Sequence, residues 1–236
     1  MSGRPRAFIR VSNEFTRGET PPEVRSPMRC ENSKAQAGFS MVELLTVAAI
    51  ILIIGGFAVP NIMSALHMAR LRGSAADFSS LLQTARLRSV QDDRFYSTFI
   101  LAGIPQYAYV DIKANGGTAV DPGDPLIVIA DEVAPKAAGG APDTPNLTGQ
   151  FLPAGSGVVP KDGSTTGTPV IFSPRGLPCT TQSPATGGTV CDSAGGATAF
   201  WIFFQDSRTQ AWEAITVTPA GRIQKWQHGG SGWSKL

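Results

Sequence analysis

The stretch GFSMVELLTVAAIILIIGGFAVP, Gly38 to Pro60, decides how the rest of this chain is read. Between Phe39 and Val59 lie 21 residues, and Glu43 is the only charged one. At about 1.5 Å of rise per residue, a helix of that length crosses a hydrocarbon core of about 30 Å. A single carboxylate near the start of such a helix is costly in lipid, by a few kcal/mol on insertion scales, and marks a functional position. Gly55-Gly56 followed by Pro60 predicts a kink or local unwinding, because proline lacks the backbone donor and crowds the preceding turn.

Before this run the chain is polar. Residues 1–38 hold seven Lys/Arg and four Asp/Glu out of 20 and 18 in all, which leaves 13 basic and 14 acidic side chains, a net charge of −1, in the remainder. The basic excess of the whole chain therefore belongs to the leader, and net charge gives no argument for a nucleic-acid partner. No small-x-small cleavage site follows the apolar run, as it would in an ordinary secretory signal. The small residue Gly38 instead precedes the run, so a cut there would keep the hydrophobic helix on the protein.

Gly38–Leu45, G-F-S-x-x-E-L-L, resembles the class III signal of type IV pilins and type II secretion pseudopilins. The resemblance implies that a prepilin peptidase cuts between Gly38 and Phe39 and methylates the new N-terminal Phe39. It also implies that Glu43 and Pro60 serve assembly. Glu43 meets the α-amino group of a neighbouring subunit's Phe39, which offsets its desolvation and sets register. A leader of 38 residues is long for this family; Met28 opens a shorter one, MRCENSKAQAG, and both starts stay open. The implied partners are other pilin or pseudopilin subunits, the prepilin peptidase and an inner-membrane assembly platform. The implied location is the bacterial inner membrane, single-pass, with the head in the periplasm, before incorporation into a filament.

Downstream, residues 61–94 predict an amphipathic continuation of the helix. Ile62, Leu66, Ala69, Phe78, Leu81, Leu82 and Ala85 fall at three-to-four spacing. Arg70, Arg72, Arg86 and Arg88 are expected on its solvated side or at headgroups. Residues 95–236 predict a β-rich head. FYSTFIL (95–101) and QYAYVDI (106–112) read as a hairpin, and PLIVIA (125–130), PVIFS (169–173), ATAFWIFF (197–204), AWEAITV (211–217) and GRIQKW (221–226) as further strands. Gly, Pro, Thr and Asp dominate from about 113 to 168, where long loops with one or two short strands are expected. The tail HGGSGWSKL reads as floppy. The fold class is α+β: a long N-terminal helix packed on an antiparallel β-rich head. Within the pilin group, LLQTARLRSV (81–90), VIFSPRGLP (170–178) and ITVTPAGRI (215–223) resemble the GspH/FimT type of minor pseudopilin.

Of three cysteines, Cys30 is lost on cleavage after Gly38. That leaves Cys179 and Cys191, expected as a disulfide in an exported head. No metal or cofactor is expected: His67 and His228 are the only histidines, and neither has ligand spacing to the cysteines. Asp121 and Asp124 in VDPGDP do not match a calcium loop and read as a solvated turn. No nucleophile–base constellation is found, so the chain is expected not to be an enzyme. The reading is a minor pseudopilin or pilin near a filament tip. The alternative is a DNA-binding minor pilin, for which related chains use a Gly-Arg-x-Arg motif. Here Gly221-Arg222-Ile223-Gln224 replaces the second arginine, leaving Arg222, Lys225 and Lys235 to track phosphates, and Trp226 and Trp233 to stack bases.

Overall fold

The computed structural model describes residues 38–101, 103–113, 119–152, 157–164, 169–179 and 198–236. The chain divides into two compact units, Met1–Val47 and Ala48–Leu236. Of the first, residues 38–47 are described. The leader expected at 1–38, apart from Gly38, and Cys30, Met28 and Cys191 lie outside the described residues.

Helix α1 runs from Met41 to Gln91. It is unbroken at Gly55, Gly56 and Pro60, so the local unwinding expected there is absent. One missing N–H costs a long helix a single bond of its ladder, and the turns on either side remain paired. Ser64 donates its hydroxyl to the Pro60 and Asn61 carbonyls at 3.2 and 3.0 Å, which adds polar partners at that point.

The strands of the second unit form two sheets. The first joins β1 (Tyr96–Leu101), β2 (Gln106–Asp111), β3 (Leu126–Ile129), β6 (Val170–Phe172) and β7 (Pro178–Cys179), in the order β3-β2-β1-β6-β7. The second joins β4 (Val133–Lys136), β8 (Thr198–Asp206), β9 (Trp212–Val217), β10 (Ile223–Gly229) and β11 (Gly232–Lys235), in the order β11-β10-β9-β8-β4. A further strand, β5 (Val159–Asp162), lies parallel to β8. All other pairings among the described residues are antiparallel, including the β1–β2 hairpin with Phe99 opposite Tyr109. The α+β class holds, with one parallel pair inside it.

Alternation along β8 builds two cores. Phe200, Ile202 and Phe204 face α1 and join Leu71, Phe78, Leu81, Leu82 and Ala85 of the helix with Ile100, Val110 and Phe172 of the first sheet. The residues that alternate with them, Ala199, Trp201 and Phe203, face a second cluster with Leu147, Phe151, Trp226 and Trp233. Leu147 and Phe151 come from α2 (Thr144–Phe151), one helical turn apart. Pro145 sits in the first turn of α2, where no intrahelical donor is lost. Each large side chain wholly removed from water contributes about 2 kcal/mol before entropy is subtracted.

Three sequence expectations change here. Among the described residues of 113–168, the expected strand β3 is joined by β4, β5, a 3-10 turn at Ala138–Gly140 and the unexpected helix α2. Phe151 and Leu147 are a helical pair too sparse to show as a periodic pattern. The glycine-rich tail is not floppy: β11 pairs with β10, Trp233 opposite His228, across a turn that Gly229 and Gly232 close. Within α1, Ile62, Leu66 and Ala69 are exposed, and the first buried residue is Leu71.

Candidate assembly helix and the head that carries it

In the first unit, Phe39 is 80% exposed, and Ser40 and Glu43 lie beside the start of α1. Leu44 N–H donates to the Ser40 carbonyl at 3.1 Å, so Ser40 occupies the N-cap position and Glu43 the third helical residue. Ser-x-x-Glu at that spacing matches the capping-box sequence pattern, and an acid in the first turn also faces the positive end of the helix. Glu43 therefore has a local helix-starting use beside any intermolecular one. Thr46 Oγ1 donates to the Glu43 carbonyl at 2.8 Å and leaves the Glu43 carboxylate unengaged by that contact.

The first part of α1 shows its apolar side chains to solvent on every side. Met41, Leu44, Ile51, Leu52, Phe57, Val59, Ile62 and Met63 are all more than half exposed. The most apolar 18-residue window has a mean hydropathy of 2.5 and none of it is buried, so by length and composition this helix can cross a membrane. A helix apolar all round needs lipid or other helices as its surroundings. Gly38 has open space around it, and Pro60 lies within the exposed stretch.

Where α1 meets the head, Arg70 and Arg72 lie on the exposed side as expected and also pair with groups of the second sheet and its turns. Arg70 Nη1 pairs with Glu132 Oε1. Arg72 donates from Nη2 to Gln227 Oε1 at 3.0 Å, with its Nε 3.8 Å from Glu213 Oε1. His67 Nδ1 lies 3.5 Å from Asp206 Oδ2. Burial alone raises the Asp206 carboxyl, but N–H and hydroxyl donors of Thr209 and the Arg208 N–H, with His67 nearby, hold it below the ordinary carboxylate range. Asp206 Oδ1 takes those bonds at 2.7 to 3.0 Å and so builds the β8–β9 turn. These acids were not singled out from the sequence. The available signal was Glu213 at an inward position of the alternating strand WEAITV.

The other end of α1 joins the three motifs carried by the GspH/FimT resemblance. Arg86 Nε–H donates to the Gly176 carbonyl at 3.0 Å. Gly176 and Gly221 both have left-handed backbones, at φ +70° and +75°, and the Gly221 backbone approaches the Gly176 carbonyl and Arg86. Thus the helix segment 81–90, the Pro-Arg-Gly turn and the Pro-Ala-Gly turn meet at one point. A shallow groove beside it is lined by Leu87, Val90, Arg222 and Ile223 among others.

The three cations of the DNA-binding alternative do not form one patch. Arg222 is exposed beside that groove, Lys225 faces α1 near Glu213, and Lys235 pairs with Trp226, which places it on the opposite face of the sheet. Trp226 and Trp233 are core residues, 4% and 5% exposed, not stacking platforms. Their indole N–H groups donate to Thr216 Oγ1 and the Pro142 carbonyl, each at 2.9 Å. The turn around Asp121 is held by Asp124, whose carboxylate accepts from the Ile112 and Asp121 N–H groups. Among the described residues no group of three or more His, Cys, Asp or Glu side chains is placed to hold a metal. Cys179 closes β7, buried and not a free thiol; its expected partner Cys191 lies outside the described residues.

No family model matches this chain, and no curated protein does. Comparison with solved structures finds the crystal structure of the type IV minor pilin FimU of Pseudomonas aeruginosa strain PAO1. That chain is 15% identical over 71% of this one and 94% of its own length, with a TM-score of 0.42. A likeness of that size carries no weight for function, which rests on the residues described above.

Proposed function

We propose that this chain is a minor subunit of a type IV pilin-like filament, of the type II secretion or pilus kind, placed near the filament tip. The observation that carries the reading is the first part of α1: apolar on every side, unburied, and headed by Gly38-Phe39 with a lone acid at Glu43. Such a surface has to be covered by lipid before assembly and by neighbouring helices after it. In this reading a prepilin peptidase cuts after Gly38, Phe39 becomes the methylated N-terminus, and the inner membrane holds the helix with the head in the periplasm. An assembly platform then passes the subunit to its neighbours. The reading is preferred to a DNA-binding role because Arg222, Lys225 and Lys235 are dispersed and the two tryptophans are buried.

The test is maturation. Expressed with a prepilin peptidase, the chain is expected to yield a product beginning at Phe39 and carrying one added methyl group, read by intact mass. Gly38→Leu is expected to stay at full length, because the proposed cleavage signal needs the glycine before the cut. Loss of the same leader from both proteins, or from neither, contradicts the proposal.

The same reading places the head in an oxidising compartment and pairs Cys179 with Cys191. Cys191→Ser is expected to lower stability by about 2–3 kcal/mol, the loop-closure value for a span of this size. Added reductant should lower the wild type to the same level and leave the variant unchanged, as measured by thermal unfolding.

A further inference from the structure

Glu213 is an acid on the wrong face of a strand. Its neighbours across the sheet are Gln227 on β10 and Phe204 on β8, and all three point at α1. It is 1% exposed, and its Oε1 has no hydrogen-bond partner. From the helix, Arg72 approaches to 3.8 Å while spending its stronger bond on Gln227, whose amide also reaches Met68 Sδ at 4.0 Å. From β10, Lys225 adds a second positive charge. From β8, Phe204 offers only a ring, stacked edge-on to Phe78 of α1. The acid is thus held between a basic helix turn and an aromatic wall, with its cation close but not yet in hydrogen-bond contact.

We propose that Glu213 is a proton-operated latch between α1 and the C-terminal sheet. Ionised, it draws the Arg72 guanidinium from Gln227 of β10 onto its own carboxylate on β9; protonated, it leaves that guanidinium to Gln227 and solvent. Arg72 stands one residue from Leu71, the first buried residue of α1, so the latch acts where the helix begins to pack on the head. Burial pushes the Glu213 carboxyl up to about 7, against the opposing pull of Arg72 and Lys225. The folded protein therefore keeps a proton that the unfolded chain releases near 4.5. The stabilisation due to this proton is complete below that lower value and is lost as the pH rises through about 7.

The test uses the whole chain in detergent micelles, with denaturant unfolding at about pH 5 and about pH 8. The folded-to-unfolded ratio of the wild type is expected to fall by one to two orders of magnitude more than that of Glu213→Gln across this interval. Arg72→Met is expected to cost roughly tenfold at the higher pH and close to nothing at the lower one. In the wild type the Arg72 Nε resonance should move with a midpoint near 7, and in Glu213→Gln it should stay fixed. Parallel pH profiles for wild type and Glu213→Gln overturn the latch. Should Glu213→Gln fail to fold, an Arg72→Met cost that is equal at both pH values overturns it instead.

Discussion

Glu43→Ala is expected to remain membrane-inserted and to be processed at Gly38, yet to be depleted from filaments roughly thirtyfold. That factor corresponds to losing an intermolecular ion pair of about 2 kcal/mol. The carboxylate is solvent-exposed in the isolated chain and lies in the first turn of a helix that the proposed function surrounds with lipid or neighbouring helices. Without a partner it is a net cost there, and with the free amine of a neighbouring Phe39 the cost is offset. The capping-box pattern supplies a control. Glutamine fills the same place in a capping box, so Glu43→Gln keeps the start of α1 while removing the charge. If both variants are depleted alike, the charge is what assembly uses; if Glu43→Gln assembles normally, Glu43 serves only to start the helix. Quantifying the subunit in sheared filaments against the membrane fraction separates the two.

Gly221→Ala is expected to destabilise the head by about 3 kcal/mol, a fall of roughly 6–12 °C in Tm for a domain of this size. Two costs combine. The left-handed backbone at φ +75° penalises any Cβ, and here the Cβ would also press on the Gly176 carbonyl and stand 3.0 Å from Arg86 Nε. That carbonyl is the one that accepts from Arg86, so a shift there loosens the anchor of α1 as well. Gly139→Ala, with open space around it, serves as the control and should melt within about a degree of the wild type. A Gly221→Ala head that melts alongside that control would show the turn to be more pliable than its packing implies.

The sequence motifs and the structure bear on this anchor differently. Segments 81–90, 170–178 and 215–223 stood out only through a family resemblance, and nothing in their spacing says that they touch. The structure joins them because α1 crosses both sheets and its Arg86 reaches two glycine turns lacking the side chains that would block it. The arginines illustrate the same divide. At 70, 72 and 86 they fall on the polar side of a helical wheel and read as solvated. The groups that bind them, at 132, 227 and 176, lie up to 155 residues away. Trp226 and Trp233 looked available for stacking beside three cations, but α2, hidden in a glycine- and proline-rich stretch, contributes to the cluster that buries them.

By itself the sequence determined the apolar helix with its lone acid, the start of the head near residue 95, and seven strands close to where they lie. These are local matters: hydropathy over one span, alternation at period two, and turns built on glycine and proline. The tertiary structure alone decided which part of α1 is held by the head, that β4 and β5 share the edge of β8 that faces away from β9, and that the Glu213 Oε1 sits unbonded within reach of Arg72. Those depend on pairings between distant segments, whose partners are chosen by the packing of whole faces, and no short window of residues carries that information.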